Sequence, residues 1–286
     1  MAGTKEKARI YLEKQYEPET IGRMRPGRNG GSSGFTLRDL IAVLAVLLPL
    51  LLLAVPSVAR NTERTQGILC LDNLRALSRG WQMYAEDNNG FFPLSPNISQ
   101  ASASASYWST GYVDWSSSPQ NSNPAVLSQL PFSGYLPSVS VYRCPSESEI
   151  KSAVQIRAGL GPRIRNFSMN TFVGNVSGVF YPGYRIYNKL SDMVAPTPSQ
   201  LFVLIQEHAD SINDSNYVPP MEGSLLDLVA STHDGAGTLS YADGHCEFKV
   251  WNPRTRAPIR FNFVGLPTAA PSDMQWLKAR ASARLP

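Results

Sequence analysis

Residues 40–59 read LIAVLAVLLPLLLLAVPSVA, twenty positions without a charge. A helix of about 20 residues that is apolar on every face predicts a membrane span. The chain has one such run, so the prediction is a single-pass protein. Beyond Ala59 the sequence turns polar but keeps helical period. Ile68, Leu71, Leu74, Leu77, Trp81 and Tyr84 fall three or four apart, and Arg60, Glu63, Arg64, Asp72, Arg75 and Arg79 lie mostly off that stripe. One helix is predicted from about Phe35 to Glu86, stopped by Asn88-Asn89-Gly90. Strand-like runs come later: Val139–Arg143, Arg163–Phe172, Gln200–Gln206, Thr238–Ala242, His245–Trp251 and Ile259–Val264. Asp243-Gly244 between two of them predicts a two-residue hairpin of type I′.

The stretch 95–124 is rich in Ser, Asn, Pro and Gln, with Asp114 its only charge. Trp108, Tyr112 and Trp115 interrupt it, so it reads as an irregular loop pinned by aromatic anchors, not a linker. Composition narrows the function classes. At 43% hydrophobic residues the chain can bury a core. A net charge of +4 without a basic stripe excludes a dedicated nucleic-acid binder. Three cysteines are too few for a disulfide scaffold. Before the apolar run stand Lys5, Lys7, Arg9, Lys14, Arg23, Arg25 and Arg28 against four glutamates, which favours a cytoplasmic N-terminus and an extracytoplasmic remainder.

Gly34-Phe35-Thr36-Leu37-Arg38-Asp39 precedes the apolar run, placing an acid where a membrane helix starts. These residues resemble the start of the type IV prepilin and type II secretion pseudopilin family. The resemblance implies cleavage by a prepilin peptidase between Gly34 and Phe35, N-methylation of Phe35, and a kinking proline at Pro56. It also implies that Asp39, where the family has Glu, meets a neighbour's N-terminal ammonium during assembly. Pro49 is a second helix interruption. The stretch CLDNLRALSRGWQMYAEDNNGFFP (Cys70–Pro93) and an H-x9-DG motif at His233, Asp243 and Gly244, followed by Trp251 and Pro253-Arg254-Thr255, resemble the same prepilin-type family at both ends of the mature chain.

Chemistry-bearing residues gather in two segments, Glu207–Asp214 and His233–His245, which hold all three histidines. One reading is structural, with turns and caps made by Asp and Glu. The other is a metal site drawn from Glu207, His208, Asp210, Asp214, His233, Asp243 and His245, with calcium ahead of zinc as the candidate cofactor. No EF-hand spacing is met, and there is no G-x-S-x-G, H-E-x-x-H or phosphate-binding loop, so no enzyme is predicted. A disulfide between Cys70 and Cys144 is permitted outside the cytoplasm, and Cys246 reads as buried and free.

The fold expected is α+β and pilin-like, a long N-terminal helix with a membrane-spanning first half on a small antiparallel sheet. Its parts are a leader (1–34), a membrane helix (35–59), an extracytoplasmic half-helix (60–90), a head (91–266) and a basic tail (267–286). The resemblance implies a pseudopilin-like subunit of a type II secretion or type IV pilus-like filament in the bacterial inner membrane, its head periplasmic. Its implied partners are the prepilin peptidase, other pilin-like subunits, an assembly platform and membrane lipid. The alternative is a membrane-anchored extracytoplasmic ligand-binding protein that never polymerises.

Overall fold

The structure is a computed structural model. It describes residues 34–96, 106–109, 112–175, 181–223, 225–262 and 269–286, without the side chains of 50–62. The leader 1–33, the side chain of Pro56, parts of the 95–124 loop and the end of the Ile259–Val264 run lie outside the described residues. The chain divides into two compact units, 1–53 and 54–286.

Helix α1 covers Leu37–Asp87. A reciprocal cap opens it in the first unit. The Thr36 N–H and hydroxyl both donate to the Asp39 carboxylate (2.9 and 2.7 Å), and the Asp39 N–H donates back to Thr36 Oγ1 (3.3 Å). Two of the helix's orphan donors are thereby satisfied, and the hydrogen bonds from Thr36 hold the Asp39 carboxyl below the usual range. Asp39→Ala should lose this cap and fray the first turn. Faster amide exchange confined to residues 36–40 would register it.

The expected membrane span is corrected. Among the described residues no helix is long and apolar enough to cross a membrane. The described side chains of the apolar run end at Pro49. The single-pass inner-membrane placement falls with the span, and the described residues lend the secretion and pilus assignments no support.

In the second unit the stripe on α1 does what its spacing predicts. Leu71, Leu74, Leu77, Trp81 and Tyr84 are buried, whereas Ile68 stays half exposed. The helix ends where expected. Asn89 and Gly90 take positive φ (55° and 82°), and the Gly90 N–H reaches back to the Ala85 carbonyl. Two short helices follow, α2 (Ala125–Ser128) and α3 (Ala153–Arg157), the latter opened by a Ser152/Gln155 capping box.

Among the described residues five strands form one sheet in the order β3-β1-β2-β4-β5: β1 Phe167–Asn170, β2 Phe202–Gln206, β3 Asn216–Tyr217, β4 Ala236–Tyr241 and β5 Cys246–Val250. The antiparallel expectation is corrected to a mixed sheet, because β3 pairs with β1 in parallel. Every residue of β2 and β4 is buried, so the centre of the sheet is covered on both faces. Cys70, Leu74, Leu77 and Trp81 of α1 belong to the same core as Phe202, Ile205 and Leu239. The tail, expected as partly disordered or a loosely docked helix, is helix α4 (Pro271–Ala281), firmly docked with Leu277 and Ala281 fully buried.

Three local expectations change. The β4–β5 hairpin is present, but only Gly244 has positive φ (94°). The Gly244 N–H donates to the Tyr241 carbonyl, and the Tyr241 N–H to His245, which makes a three-residue loop with glycine at the bulge. Val139–Tyr142 is a 3₁₀ turn capped by Ser138, not a strand. Residues 259–262 form no strand, because the N–H groups of Arg260 and Phe261 donate to the Asp210 carboxylate instead of to a ladder.

Candidate functional site

Among the described residues, one group of side chains is placed to share a ligand: Cys70, Cys144 and His233. Cys70 comes from the buried face of α1, Cys144 from the residue before a 3₁₀ turn at Pro145–Glu147, and His233 from the bend that leads into β4. Their Sγ and ring nitrogen atoms all lie within 4.8 Å of one another. Cys144 Sγ is 3.4 Å from His233 Nε2, and Ser146 Oγ is 3.4 Å from His233 Nδ1. Cys70 Sγ faces Thr238 Oγ1 (3.7 Å) and Gln206 Oε1 (3.8 Å). The Gln206 amide is oriented by its own donors, because Nε2 donates to Glu147 (2.8 Å) and to Thr232 (2.9 Å), leaving Oε1 for the thiol.

Local sequence makes room for this cluster. A Cβ on Gly67 would meet His233 Nδ1 at 3.3 Å, so a bare α1 backbone one turn before Cys70 lets the imidazole approach. Both cysteines are completely buried. Burial pushes Cys144 up, but hydrogen bonds from Cys70 and His233 and the charge of the imidazole overcome it and bring the thiol down to about 5. Burial and the neighbouring Cys144 raise Cys70. The carboxyl of Glu147 is pushed up to about 8 by burial and by Cys144, although Asn166 and Gln206 donate to it. His233 opens on one side to a groove of about 740 Å³, lined also by Glu63, Arg64, Gly67, Ile68 and Phe248.

The residues expected to hold a metal are not gathered in one place. His208 Nε2 donates to the Ala257 carbonyl (2.9 Å), its Nδ1 accepts from the Asp210 N–H (3.1 Å), and burial holds the ring below the ordinary histidine range. Asp210 is spent on Trp115 Nε1 and the amides of Arg260 and Phe261. Asp214 accepts from the Asn216 N–H. Glu207 is buried and accepts from Ser211 Oγ (2.8 Å), its carboxyl raised by burial and by Asp227. Asp243 and His245 form an exposed pair at 2.6 Å on the hairpin, with the His245 ring stacked on Tyr241. Of that set only His233 reaches the cluster. For the other residues the structural reading is the one the geometry carries, and no oxygen-rich calcium cage forms among the described residues.

Cys70 and Cys144 come together as the disulfide expectation requires, but as free thiols, and Cys246 is free and half-buried on β5. Sequence reasoning paired the cysteines with each other and grouped His233 with the other two histidines and the nearby acids. The signal that it passed over was Gly67, one helical turn before Cys70, a small residue on an otherwise bulky stripe.

Of the aromatic anchors of the 95–124 loop, Trp108 and Trp115 are structural, whereas Tyr112 is exposed. Trp108 is fully buried, stacks on Tyr142 (5.7 Å) and donates to Ser95 Oγ, and Tyr142 Oη donates to the Trp108 carbonyl. Trp115 lies under the Arg163 guanidinium at 3.9 Å. In the first unit, Gly34 and Phe35 precede the helix and are exposed, as is every described side chain from Thr36 to Pro49. Comparison with protein-family models, with curated proteins and with solved structures found no match.

Proposed function

We propose that this chain is a non-enzymatic structural subunit that assembles through its N-terminal helix, the function that its resemblance to pilin-like subunits implies. One observation carries the reading. Along the start of α1, large apolar side chains stand in solvent, from Leu40 at 43% exposure to Phe35 and Leu37 at 72%. Leu40, Ile41, Val43, Leu44, Val46 and Leu47 cover about 220° of a helix with 3.6 residues per turn, and the smaller apolar residues Ala42, Ala45 and Pro49 fill the remaining side. A surface apolar all round does not fit one groove on one partner. It fits a bundle of like helices, which buries every face at once. Copies of this chain are the partners.

Two further features support the reading. The Gly34–Phe35 bond lies before the cap in exposed chain, with nothing within 4 Å of where a Gly34 side chain would be. A prepilin-type peptidase would leave the Thr36–Asp39 cap whole. Asp39 already has the Thr36 N–H and hydroxyl as partners, so a neighbour's amine would share the carboxylate with the cap. The thiol nucleophile of the chain, Cys144, is completely buried, which suits packing and ligation better than attack on a substrate.

The test is the mass of the full chain in solution, alongside a Leu44→Lys/Leu47→Lys variant. The chain is expected to form large assemblies at micromolar concentration and the variant to dissociate at least tenfold more readily, with the same far-UV spectrum. Intact mass of the protein from its own cells is expected to start at Phe35 with one added methyl. A chain that stays monomeric with its apolar helix intact would defeat the proposal.

A further inference from the structure

We propose that Cys70, Cys144 and His233 form a binding site for a thiophilic d10 cation, zinc(II) or copper(I). The site does not depend on assembly through the helix and stands or falls separately.

Donor chemistry is the first argument. Two thiol sulfurs and an imidazole nitrogen are what borderline and soft cations take, and what calcium and magnesium refuse. Geometry is the second. Bond lengths of about 2.3 Å to sulfur and about 2.0–2.1 Å to nitrogen place S and N about 3.6 Å apart around a tetrahedral ion. Cys144 Sγ and His233 Nε2 already stand at 3.4 Å, and all three donors lie within 4.8 Å of one another. The cation needs small side-chain adjustments and no rearrangement of the backbone.

The surrounding groups fix the donors as ligands. Ser146 Oγ sits at His233 Nδ1, so the imidazole can donate there and turn the Nε2 lone pair toward the thiols, the arrangement that sets the tautomer of a metal-binding histidine. Thr238 Oγ1 and Gln206 Oε1 also contact Cys70 Sγ. Cys70 and Cys144 reach the centre from α1 and from the 3₁₀ turn, and His233 reaches it from the bend before β4, so a bound ion would tie together three separate parts of the head. His233 also lines the groove of about 740 Å³, which supplies a route for the ion. No fourth His, Cys, Asp or Glu joins the group among the described residues. Copper(I) is satisfied by three such ligands. Zinc would complete its tetrahedron with a water from the groove side, leaving an exchangeable position.

The experiment uses the full chain carrying Cys246→Ser, which leaves two thiols to count. The reduced protein is titrated with zinc(II), with copper(I) and with calcium, desalted, and weighed under native conditions. Cobalt(II) serves as an optical stand-in for zinc, reporting sulfur ligation through a thiolate-to-metal charge-transfer band. One equivalent of zinc or copper(I) should survive desalting, calcium should not, and the cobalt band should appear. His233→Ala and Cys144→Ser should each weaken retention by about tenfold or more, the scale set by losing a ligand or its support. Should either variant fail to fold, the parent chain still decides: the cation should slow alkylation of both thiols by about tenfold, the equivalent of about 1.4 kcal/mol of protection. Retention of zinc alone or copper(I) alone assigns the ion. Three results overturn the proposal: no cation retained, retention unchanged in a folded His233→Ala chain, or native protein isolated short of two hydrogens with Cys70 bonded to Cys144.

Discussion

Trp251→Ala is expected to destabilise the head by about 3–5 kcal/mol, the range for emptying a large buried aromatic site. Trp251 follows β5 and is 1% exposed. Its Nε1 donates to the Ala230 carbonyl (2.9 Å), its ring meets Trp276 of α4 edge-on at 5.8 Å, and Lys249 Nζ lies 5.2 Å from the ring centre. Truncation would leave a cavity and an unpartnered carbonyl. The site cannot collapse easily, because β4 is already as close as it can come. A Cβ at Gly237 would strike the Ala230 carbonyl at 2.4 Å and Trp251 Nε1 at 3.1 Å. Beside Trp251, Asp273 receives the Asn252 N–H and the Thr255 hydroxyl and pairs with Lys249, fastening α4 to the end of β5. Loss of the tryptophan should therefore loosen α4 as well as the sheet. Urea unfolding measures it: with a slope of about 1–3 kcal/mol per molar, the midpoint should fall by more than about 1 M. Val250→Ala next door, 60% exposed, is the control and should move the midpoint little. Equal shifts in the two variants would mean that Trp251 does not anchor α4 to the sheet.

How much of this was legible in the sequence depends on how local each feature is. The stripe from Leu71 to Tyr84, the stop at Asn88-Asn89-Gly90, the strand at 202–206 and the β4–β5 hairpin rest on neighbours within a few residues, and they appear where periodicity and turn chemistry put them. Val139–Tyr142 misled because a short β-branched and aromatic run between prolines serves a 3₁₀ turn equally well. The run that starts at Ile259 misled for a long-range reason: Asp210, about 50 residues away, takes the Arg260 and Phe261 amides that a strand would have offered. The parallel β1–β3 contact is likewise a two-residue register that no local pattern encodes.

The candidate site was half legible for the same reason. His233 could be picked out because histidines are few, but its partners sit 89 and 163 residues away along the chain. Grouping it with nearby acids followed sequence proximity where the fold follows the α1–sheet contact. Those acids are instead held one by one by nearby groups: Asp210 by Trp115 and two amides, Glu207 by buried Ser211, and Asp243 in an exposed pair with His245. Asp39, outside that group, likewise has a local partner, its carboxylate closing the first turn of its own helix.

Stability should fall as pH rises through neutrality, and Asp227→Asn should remove much of that dependence. Asp227 is pushed up to about 7 by burial and by the charge of Asp214, against the Val218 N–H that donates to it at 2.6 Å. Glu207 is raised as well, by burial and by Asp227. The charges facing this pair include Asp214 and the buried guanidinium of Arg165, itself lowered to about 10 by burial. An unfolded Asp or Glu titrates near about 3.9 or 4.3. Between those values and about 7 the folded protein therefore holds more protons than the unfolded chain. The sign follows: the contribution is fully present below about pH 4 and is lost as pH climbs through about 7. Glu147 slopes the same way, but Cys144, brought down to about 5, gains stability with rising pH and offsets it. His208, held low by burial, also gains stability as pH rises toward about 6.5, so Asp227 and Glu207 carry the falling part of the slope. Asn at 227 keeps an oxygen for the Val218 N–H and has no proton to lose. Urea midpoints at about pH 5 and pH 9 should differ in the parent chain by the equivalent of a few kcal/mol. In Asp227→Asn at least half of that difference should vanish, and the variant should be the more stable of the two at the higher pH. An undiminished difference in the variant would show that Asp227 is ionised throughout, with its charge accommodated by the buried arginine.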